Sequence, residues 1–355
     1  MLPDEGLSET GQPLLDVEAA QRIIRLMKTA GFIALLVNLG LGVTALSAAQ
    51  QGPRRIENPQ TIMLPGGARV EFKHFSSPAI GKEAAYSVFL PPSYEKDPQA
   101  RFPVVYFLHG LWNDDTSWAV ERYGGIPAQL EELMVRGDLP EFLLVNPNGE
   151  NSFYTDYLDG KHNYERMVFD DLIHHVESTY RVIPERWARA LGGVSMGGYG
   201  ALKIGMKHPD LYAAVAGVSP IVFPGDDPSE YFRDSSSRMA QYLVQALKPV
   251  YGMPFDKDHW HQNSVLWLAR NEPLDDLKLF FAYGTADRYN RAFPLAAGIQ
   301  ELDQILTSRH VSHEYRVYEN GPHGWQLVVD HLQEVARFLS QSFAQTNEMS
   351  AAGGR

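Results

Sequence analysis

Residues 190–200 read ALGGVSMGGYG and decide the fold. Gly193, Ser195 and Gly197 fit the pattern G-x-S-x-G, in which the serine occupies a sharp turn from a strand to a helix. The flanking glycines lack a Cβ, so the strand and the helix can pass closely. An apolar run precedes the turn and a helical pattern follows it over Tyr199–Lys207, which is the context that the pattern requires. The segment predicts Ser195 as a nucleophile near a helix N-terminus, where developing negative charge is favoured. A glycine-rich turn without chemistry is the alternative.

Apolar runs alternate with helical patterns along the rest of the chain. Runs such as VVYFL at 104–108 are typical of strands buried on both faces of a parallel sheet. Period-two segments at Arg69–Phe75 and Ala84–Leu90 predict half-buried strands. The alternation predicts an α/β fold with a mostly parallel sheet flanked by helices. The remaining predicted elements are strands at Phe142–Val145, Ala190–Val194, Ala213–Val218, Leu279–Tyr283 and His313–Tyr318, and helices at Tyr164–Tyr180, Phe293–Leu306 and Trp325–Phe343.

One long segment, Ser219–Asp276, interrupts this alternation. It is rich in proline and aromatic residues, and a structureless loop of that length is improbable in a compact domain. We interpret it as a cap insertion with some helix of its own. The predicted organisation is therefore a linker and first strand over 50–82, followed by a single domain over 83–345.

A serine nucleophile needs an imidazole base, and in this arrangement the base comes last along the chain. Four histidines follow the insertion. His323 lies in the loop sequence NGPHGW, between the last predicted strand and the last predicted helix, and is the predicted base. The other three, His310, His313 and His331, fall at helix or strand positions, where capping or packing roles are commoner.

The imidazole in turn needs a carboxylate to fix its tautomer. Asp287 follows a predicted buried strand and a tight turn, which places it at the carboxyl edge of the sheet, where open α/β sheets bind their ligands. We predict it as the triad acid. An N-cap or Asx-turn role is the alternative. The rival carboxylates are Asp226, Asp227, Asp275 and Asp276.

Acyl transfer also needs two N–H groups aimed at the oxyanion of the tetrahedral intermediate. The N–H of Met196, directly after the nucleophile, is predicted as one donor, and that of Leu111, in the loop after the strand at 104–108, as the other. His109 precedes the serine and is predicted to hold this loop by a hydrogen bond. Candidate substrate contacts are the indole rings of Trp112, Trp260 and Trp267, for which core packing is the alternative.

Composition excludes several classes of protein. The chain has no cysteine, so disulfides, zinc–thiolate sites, iron–sulfur clusters and a thiol nucleophile are excluded. With 31 basic and 43 acidic residues the net charge is −12, which disfavours nucleic acid as a partner. The histidine pairs His174–His175 and His259–His261 lack the spacing of metal ligands on a helix. We expect no catalytic metal.

An uncharged apolar stretch of 19 residues lies at Gly31–Ala49. Three basic residues precede it and small residues end it, as in a secretory signal peptide cleaved before Gln50. Residues 1–49 are therefore predicted to be an N-terminal extension and a signal peptide of a secreted or periplasmic protein, and Met27 resembles a natural translation start. The alternatives are an uncleaved signal anchor, which would contact the membrane, and a buried core helix.

Seven segments carry a resemblance to a known family: YSVFLPPSYEK, FPVVYFLHGLW, NSFYTDY, YERMVFDDLIHHVESTYRV, LGGVSMGGYGALKIGMKHPDLY, FFAYGTADRYN and GPHGW. Over Glu83–Phe343 the chain resembles the esterase D-like branch of the α/β-hydrolases. That branch includes feruloyl and acetylxylan esterases, S-formylglutathione hydrolases, siderophore esterases and mycolyltransferases. The resemblance implies an α/β-hydrolase fold and a cofactor-free serine esterase with Ser195 as nucleophile, Asp287 as acid, His323 as base, and Met196 and Leu111 as oxyanion donors.

The leading hypothesis is an exported carboxylic-ester hydrolase that acts through an acyl-enzyme on carbohydrate-linked aryl or acetyl esters. Two enzymatic alternatives are an acyltransferase similar to the mycolyltransferases and a thioesterase similar to the S-formylglutathione hydrolases, although the intracellular substrate of the latter fits a leader peptide poorly. The non-enzymatic alternative is a binding protein built on the same fold.

Overall fold

The computed structural model describes residues 59–119, 125–225, 227, 229 and 238–343. The predicted signal peptide, the start at Met27 and most of the predicted linker lie outside these residues. Among the helices that are described, none combines the length and the hydropathy needed to span a lipid bilayer.

The described residues form a sheet of nine strands. In chain order the strands are β1 (Ile62–Met63), β2 (Arg69–Ser77), β3 (Lys82–Leu90), β4 (Val104–Leu108), β5 (Leu143–Pro147), β6 (Arg189–Val194), β7 (Ala214–Val218), β8 (Lys278–Gly284) and β9 (His313–Tyr318). Their order in the sheet is β1-β2-β3-β5-β4-β6-β7-β8-β9. From β5 to β9 in this order, each strand runs parallel to its neighbour. The pairs β1–β2, β2–β3 and β3–β5 are antiparallel. The predicted mostly parallel sheet is confirmed.

The parallel strands β4, β5, β6 and β7 are buried on both faces, whereas β9 at the edge of the sheet is only partly buried. In β4, for example, Val104, Tyr106 and Leu108 pack into the apolar cluster on one face of the sheet, whereas Val105 and Phe107 pack into the cluster on the other. Successive side chains of a strand point to opposite faces, so a strand covered on both sides must be apolar throughout. This explains the uninterrupted apolar runs in the sequence.

The antiparallel strands β2 and β3 contain the predicted strands Arg69–Phe75 and Ala84–Leu90. They pair along nine residues, from Arg69↔Leu90 to Ser77↔Lys82. The first strand predicted within 50–82 therefore belongs to the same sheet as the strands that follow residue 83. The alternation within Ala84–Leu90 predicts a half-buried strand, but this part of β3 is buried throughout because β2 and β5 flank it and apolar clusters cover both faces.

Helices cover both faces of the sheet. They are α1 (Ile126–Val135), α2 (Tyr164–Arg166, Met167–Leu172 and Ile173–Thr179, of which the middle section is π-helical), α3 (Met196–Lys207), α4 (Arg238–Tyr251), α5 (Lys257–Asn263), α6 (Val265–Asn271), α7 (Leu295–Ser308), α8 (Trp325–Asp330) and α9 (Leu332–Ser340). The single helix predicted over Trp325–Phe343 is divided at His331, whose backbone is not helical and whose ring stacks on Tyr318.

The predicted cap insertion between β7 and β8 contains α4, α5 and α6. Tyr199 joins it to α3: the hydroxyl of this residue donates to the carbonyl oxygen of Asn263 at 2.6 Å and lies 2.6 Å from the Tyr251 hydroxyl. The insertion is thus attached to the helix that follows Ser195.

Candidate active site

Ser195 stands at the turn between β6 and α3, in a backbone conformation that residues with side chains rarely adopt. Its φ is 58° and its ψ is −116°. Its N–H donates to the carbonyl of Val218 at the end of β7 at 2.9 Å, and its carbonyl accepts the N–H of Tyr199 at 3.0 Å. The hydrogen bonds at both ends hold the strained turn in place.

The glycines of the motif are required by contact between backbones. A Cβ on Gly193 would lie 2.2 Å from the carbonyl oxygen of Gly197, and one on Gly197 would lie 2.0 Å from that of Leu108. No side chain can occupy either space. The start of α3 therefore packs directly against the ends of β4 and β6, which brings Ser195 to the carboxyl edge of the sheet.

A continuous chain of hydrogen bonds joins the serine, the histidine and the aspartate. The Nε2 atom of His323 lies 2.8 Å from Oγ of Ser195, and its Nδ1 atom lies 2.6 Å from Oδ2 of Asp287. A carboxylate only accepts hydrogen bonds, so the neutral ring carries its proton on Nδ1 and leaves Nε2 free to accept from the serine hydroxyl. Both side chains of the histidine–aspartate pair are buried.

The aspartate and the histidine meet because two glycines let their loops touch. A Cβ on Gly284, at the end of β8, would lie 2.0 Å from the carbonyl oxygen of Gly321. The N–H of Ala286 also donates to this oxygen, at 3.0 Å. The Asp287 side chain caps the turn that follows it, because its Oδ1 accepts the N–H of Tyr289 at 2.8 Å. The two carboxylate oxygens thus have separate partners.

The other late histidines have different surroundings. His313 contacts the Val311 carbonyl and Asp303 through its two ring nitrogens. His331 stacks on Tyr318, and His310 follows α7 with a φ of 59°. Among the described residues, His323 contacts Ser195 and these three histidines do not.

The loop after β4 carries the predicted oxyanion donor Leu111. The carbonyl of Gly110 accepts from Nδ1 of His109 at 2.8 Å and from the N–H of Asn113 at 3.1 Å. Because the peptide unit is planar, fixing this carbonyl fixes the direction of the N–H of Leu111. Within the described residues, neither that N–H nor the N–H of Met196 has a hydrogen-bond acceptor.

His109 has a hydrogen-bond partner for each ring nitrogen. Its Nδ1–H donates to Gly110, and its Nε2 accepts the N–H of Gly149 at 3.0 Å. Complete burial lowers the pKa of His109 and so favours the neutral ring that this pairing requires. The ring therefore holds the loop as the sequence predicts and has no partner in the serine–histidine–aspartate chain.

The three predicted substrate-binding tryptophans lie in different environments. Trp112 is half-buried beside the loop of Leu111, and its ring packs edge-on against Tyr242 of α4 at 6.1 Å. Trp267 is half-buried against the core. Trp260 is only 6% exposed and stacks on Phe255, so its ring belongs to the packing of the insertion and offers little surface to a substrate.

Two aromatic residues beside the site were not predicted. Tyr289 places its ring 4.4 Å from that of His323, and Tyr242 reaches Trp112 from the insertion. The position of Tyr289, two residues after the predicted acid, was a usable signal. The sequence gives no signal for Tyr242, because its contact with Trp112 depends on how the insertion folds.

The described residues contain no group of three or more histidine, aspartate or glutamate side chains placed to hold a metal ion. The paired histidines on α2 have separate partners: His174 contacts Asp170, whereas His175 contacts the hydroxyl of Tyr86.

With this geometry, comparison with known proteins is informative. A family model described as "Putative esterase" matches residues 77–339, most of the chain. The chain belongs to this esterase family. Its members are carboxylic ester hydrolases, which agrees with the resemblance found in the sequence.

Individual relatives agree with the family. An endo-1,4-beta-xylanase/feruloyl esterase of Xylanibacter ruminicola is 29% identical over 144 residues, 39% of this chain but only 20% of that protein. An acetyl esterase of Caldicellulosiruptor saccharolyticus is 28% identical over 281 residues, 76% of this chain and 97% of that protein. The solved structure of a ferulic acid esterase superposes with a TM-score of 0.62 at 26% identity, covering 78% of this chain and 98% of the other. The α/β-hydrolase fold is thereby confirmed.

Proposed function

We propose that this esterase is a serine carboxylic-ester hydrolase that works through a covalent acyl-enzyme on Ser195. The observation that carries the proposal is the uninterrupted hydrogen-bond chain from Ser195 through His323 to Asp287, at a turn whose glycines permit no side chain. These hydrogen bonds connect a nucleophile to a base, and the base to an acid that orients it.

In the proposed reaction, Oγ of Ser195 attacks the ester carbonyl while Nε2 of His323 takes the hydroxyl proton. The N–H groups of Met196 and Leu111 stabilise the oxyanion, and Asp287 stabilises the imidazolium that forms. Collapse of the intermediate breaks the ester bond, and the imidazolium gives its proton to the leaving alcohol. Water then attacks the acyl-serine with His323 again as base, which releases the carboxylic acid and restores the serine.

The decisive experiment compares the protein with its Ser195→Ala variant in turnover of p-nitrophenyl acetate and in labelling by a fluorophosphonate probe. We expect loss of labelling and a fall in rate on the order of 10⁶-fold. Ser308→Ala is the matched control, because this serine is exposed at the end of α7 and its hydroxyl donates to the carbonyl of Ile305. Equal rates in the protein and the Ser195→Ala variant would contradict the proposal, and a lack of both turnover and labelling in the unmodified protein would favour a binding protein.

For the substrate we propose carbohydrate-linked aryl or acetyl esters. The names of the relatives support this, since they include feruloyl and acetyl esterases, and so does the half-buried aromatic pair of Trp112 and Tyr242 beside the loop of Leu111. A library of acetyl, feruloyl and longer-chain esters tests it, with and without a sugar acceptor. A preference for transfer to the sugar over hydrolysis would favour an acyltransferase instead.

We further propose that the protein is exported, on the strength of the signal-like stretch at Gly31–Ala49. N-terminal sequencing of the protein recovered from its host is the test. We expect the recovered chain to begin at Gln50, whereas a chain that retains the apolar stretch would indicate a membrane anchor.

A further inference from the structure

The two predicted oxyanion donors stand on separate elements of the fold. The N–H of Met196 belongs to the first residue of α3, and that of Leu111 belongs to the loop after β4. Stabilisation of an oxyanion depends on donors placed about 2.7–3.1 Å from the oxygen atom. Something must therefore fix the loop relative to the helix.

Tyr154 holds the loop from outside it. Its hydroxyl accepts the N–H of His109 at 3.0 Å and lies 3.4 Å from the carbonyl oxygen of the same residue. His109 is two residues before Leu111 and directly precedes the turn that the N–H of Asn113 closes on the carbonyl of Gly110. Tyr154 is completely buried, so no water replaces this hydrogen bond.

The rest of Tyr154 is fitted against α3. A Cβ on Gly200, in the second turn of α3, would lie 2.8 Å from the ring of Tyr154, and one on Gly149 would lie 2.2 Å from it. The ring thus occupies space that both glycines leave open. The carbonyl of Tyr154 accepts from Nζ of Lys203, also on α3, at 2.6 Å.

The segment that carries Tyr154 is strained and tightly held. Phe153 and Tyr154 have φ values of 55° and 50°, in the left-handed region that costs free energy for such residues. Lys203 offsets this strain, since its ammonium also donates to Oγ1 of Thr155 at 2.9 Å and pairs with Glu165 at 2.6 Å. Just upstream, Oδ1 of Asn151 accepts the N–H of Trp112 at 2.8 Å, a second contact with the oxyanion loop.

We propose that Tyr154 is a positioning residue that sets the separation of the two oxyanion donors, its ring braced on α3 and its hydroxyl holding His109. This inference rests on the proposed function. It assigns the tyrosine no contact with the substrate: the residue acts through the peptide units that lead from His109 to the N–H of Leu111.

The test is Tyr154→Phe, which retains the ring and removes only the hydroxyl. We expect kcat for p-nitrophenyl acetate to fall on the order of 10-fold, less than the roughly 10²- to 10³-fold cost of losing a donor outright. KM should change little. The Ki of a trifluoromethyl ketone, whose adduct with Ser195 places an oxyanion in the same space, should rise by the same factor as kcat falls.

Tyr86→Phe is the matched control. Tyr86 is also buried, and its hydroxyl contacts His175 and Tyr180 instead of His109. We expect it to alter the midpoint of thermal unfolding and leave both kcat and Ki unchanged.

Two results would overturn the proposal. In one, Tyr154→Phe changes only the unfolding midpoint, as a structural tyrosine would. In the other, kcat falls while the Ki of the ketone stays constant, which would place the loss outside the oxyanion site. Failure of the proposed function itself is separate, because it would appear as full activity in Ser195→Ala.

Discussion

The buried ion pair of Glu165 and Lys203 allows a sharp prediction about stability. The Lys203 side chain is 0% exposed and that of Glu165 is 4% exposed, and Nζ lies 2.6 Å from Oε2. The second carboxylate oxygen contacts Lys207, also at 2.6 Å. Replacing Glu165 by glutamine keeps the volume but leaves the buried ammonium without its counter-charge.

Breaking a buried pair on one side costs about 3–5 kcal/mol, because the remaining charge stays desolvated. Burial already lowers the pKa of Lys203 to about 8, against the opposing effect of Glu165. In Glu165→Gln we therefore expect the free energy of unfolding, measured by urea denaturation at pH 7, to fall by about 3–5 kcal/mol. Adding Lys203→Met to this variant removes the stranded charge and should restore much of that loss.

The same ion pair predicts that the stability of the protein depends on pH. Burial alone would raise the pKa of Glu165, but Lys203, His208 and Lys207 together hold it well below its ordinary value of 4.5. A carboxylate with a lowered folded-state pKa contributes stability above its unfolded pKa and loses that contribution as the pH falls. As the pH falls below 4.5, the free energy of unfolding of the protein should therefore decrease more steeply than that of the Glu165→Gln variant.

The control is Glu132→Gln, in an exposed pair with Arg136 at 3.0 Å. Solvent screens a pair of this kind, so we expect Glu132→Gln to change the free energy of unfolding far less than Glu165→Gln. A loss below about 1 kcal/mol in Glu165→Gln, or a double variant no more stable than the single one, would refute the reasoning that desolvation of Lys203 dominates.

Three further predictions concern the site. Gly197→Ala places a Cβ 2.0 Å from the carbonyl oxygen of Leu108, so the free energy of unfolding in urea should fall by about 1–3 kcal/mol and the initial rate of ester hydrolysis should be lost. An active, stable variant would contradict the backbone contact. Asp287→Asn should lower kcat on the order of 10³- to 10⁴-fold because the histidine tautomer is no longer fixed, and steady-state kinetics showing less than about 10-fold would argue against its role. Trp112→Ala should lower kcat/KM for methyl ferulate about 10-fold more than for p-nitrophenyl acetate, and an equal loss on both esters would indicate an effect on the loop instead of the aryl group.

The positions of the site residues were predictable where a short local pattern dictates them. The turn at Ser195 needs glycines at fixed spacing, and Asp287 and His323 each follow a strand, so adjacent parallel strands bring them to one edge. Their hydrogen bonds in the structure agree with the predicted order along the chain, while their catalytic roles stay predictions until tested.

Features that depend on contacts between distant segments could not be predicted. Trp260 looks equally suited to a ligand or a core until the insertion folds around it. The link from Tyr154 to His109 joins residues 45 positions apart, and no periodicity records it. The break at His331, where the ring stacks on Tyr318, has no signal in the sequence either, because the apolar period continues across it.

The attachment of the insertion has a consequence for engineering. It leaves β7 and returns to β8, which are neighbours in the sheet, and it is fastened through Tyr199 to the body of α3. Because β7 and β8 run parallel, the insertion leaves the carboxyl end of β7 and returns to the amino end of β8, at the opposite edge of the sheet. Val218 pairs with Ala282, four residues beyond Lys278, so the two ends of a transplanted segment would meet the scaffold roughly 14 Å apart. A chimera that takes its insertion from a relative, while supplying a carbonyl or hydroxyl partner for Tyr199, could change acyl preference without rebuilding the turn at Ser195.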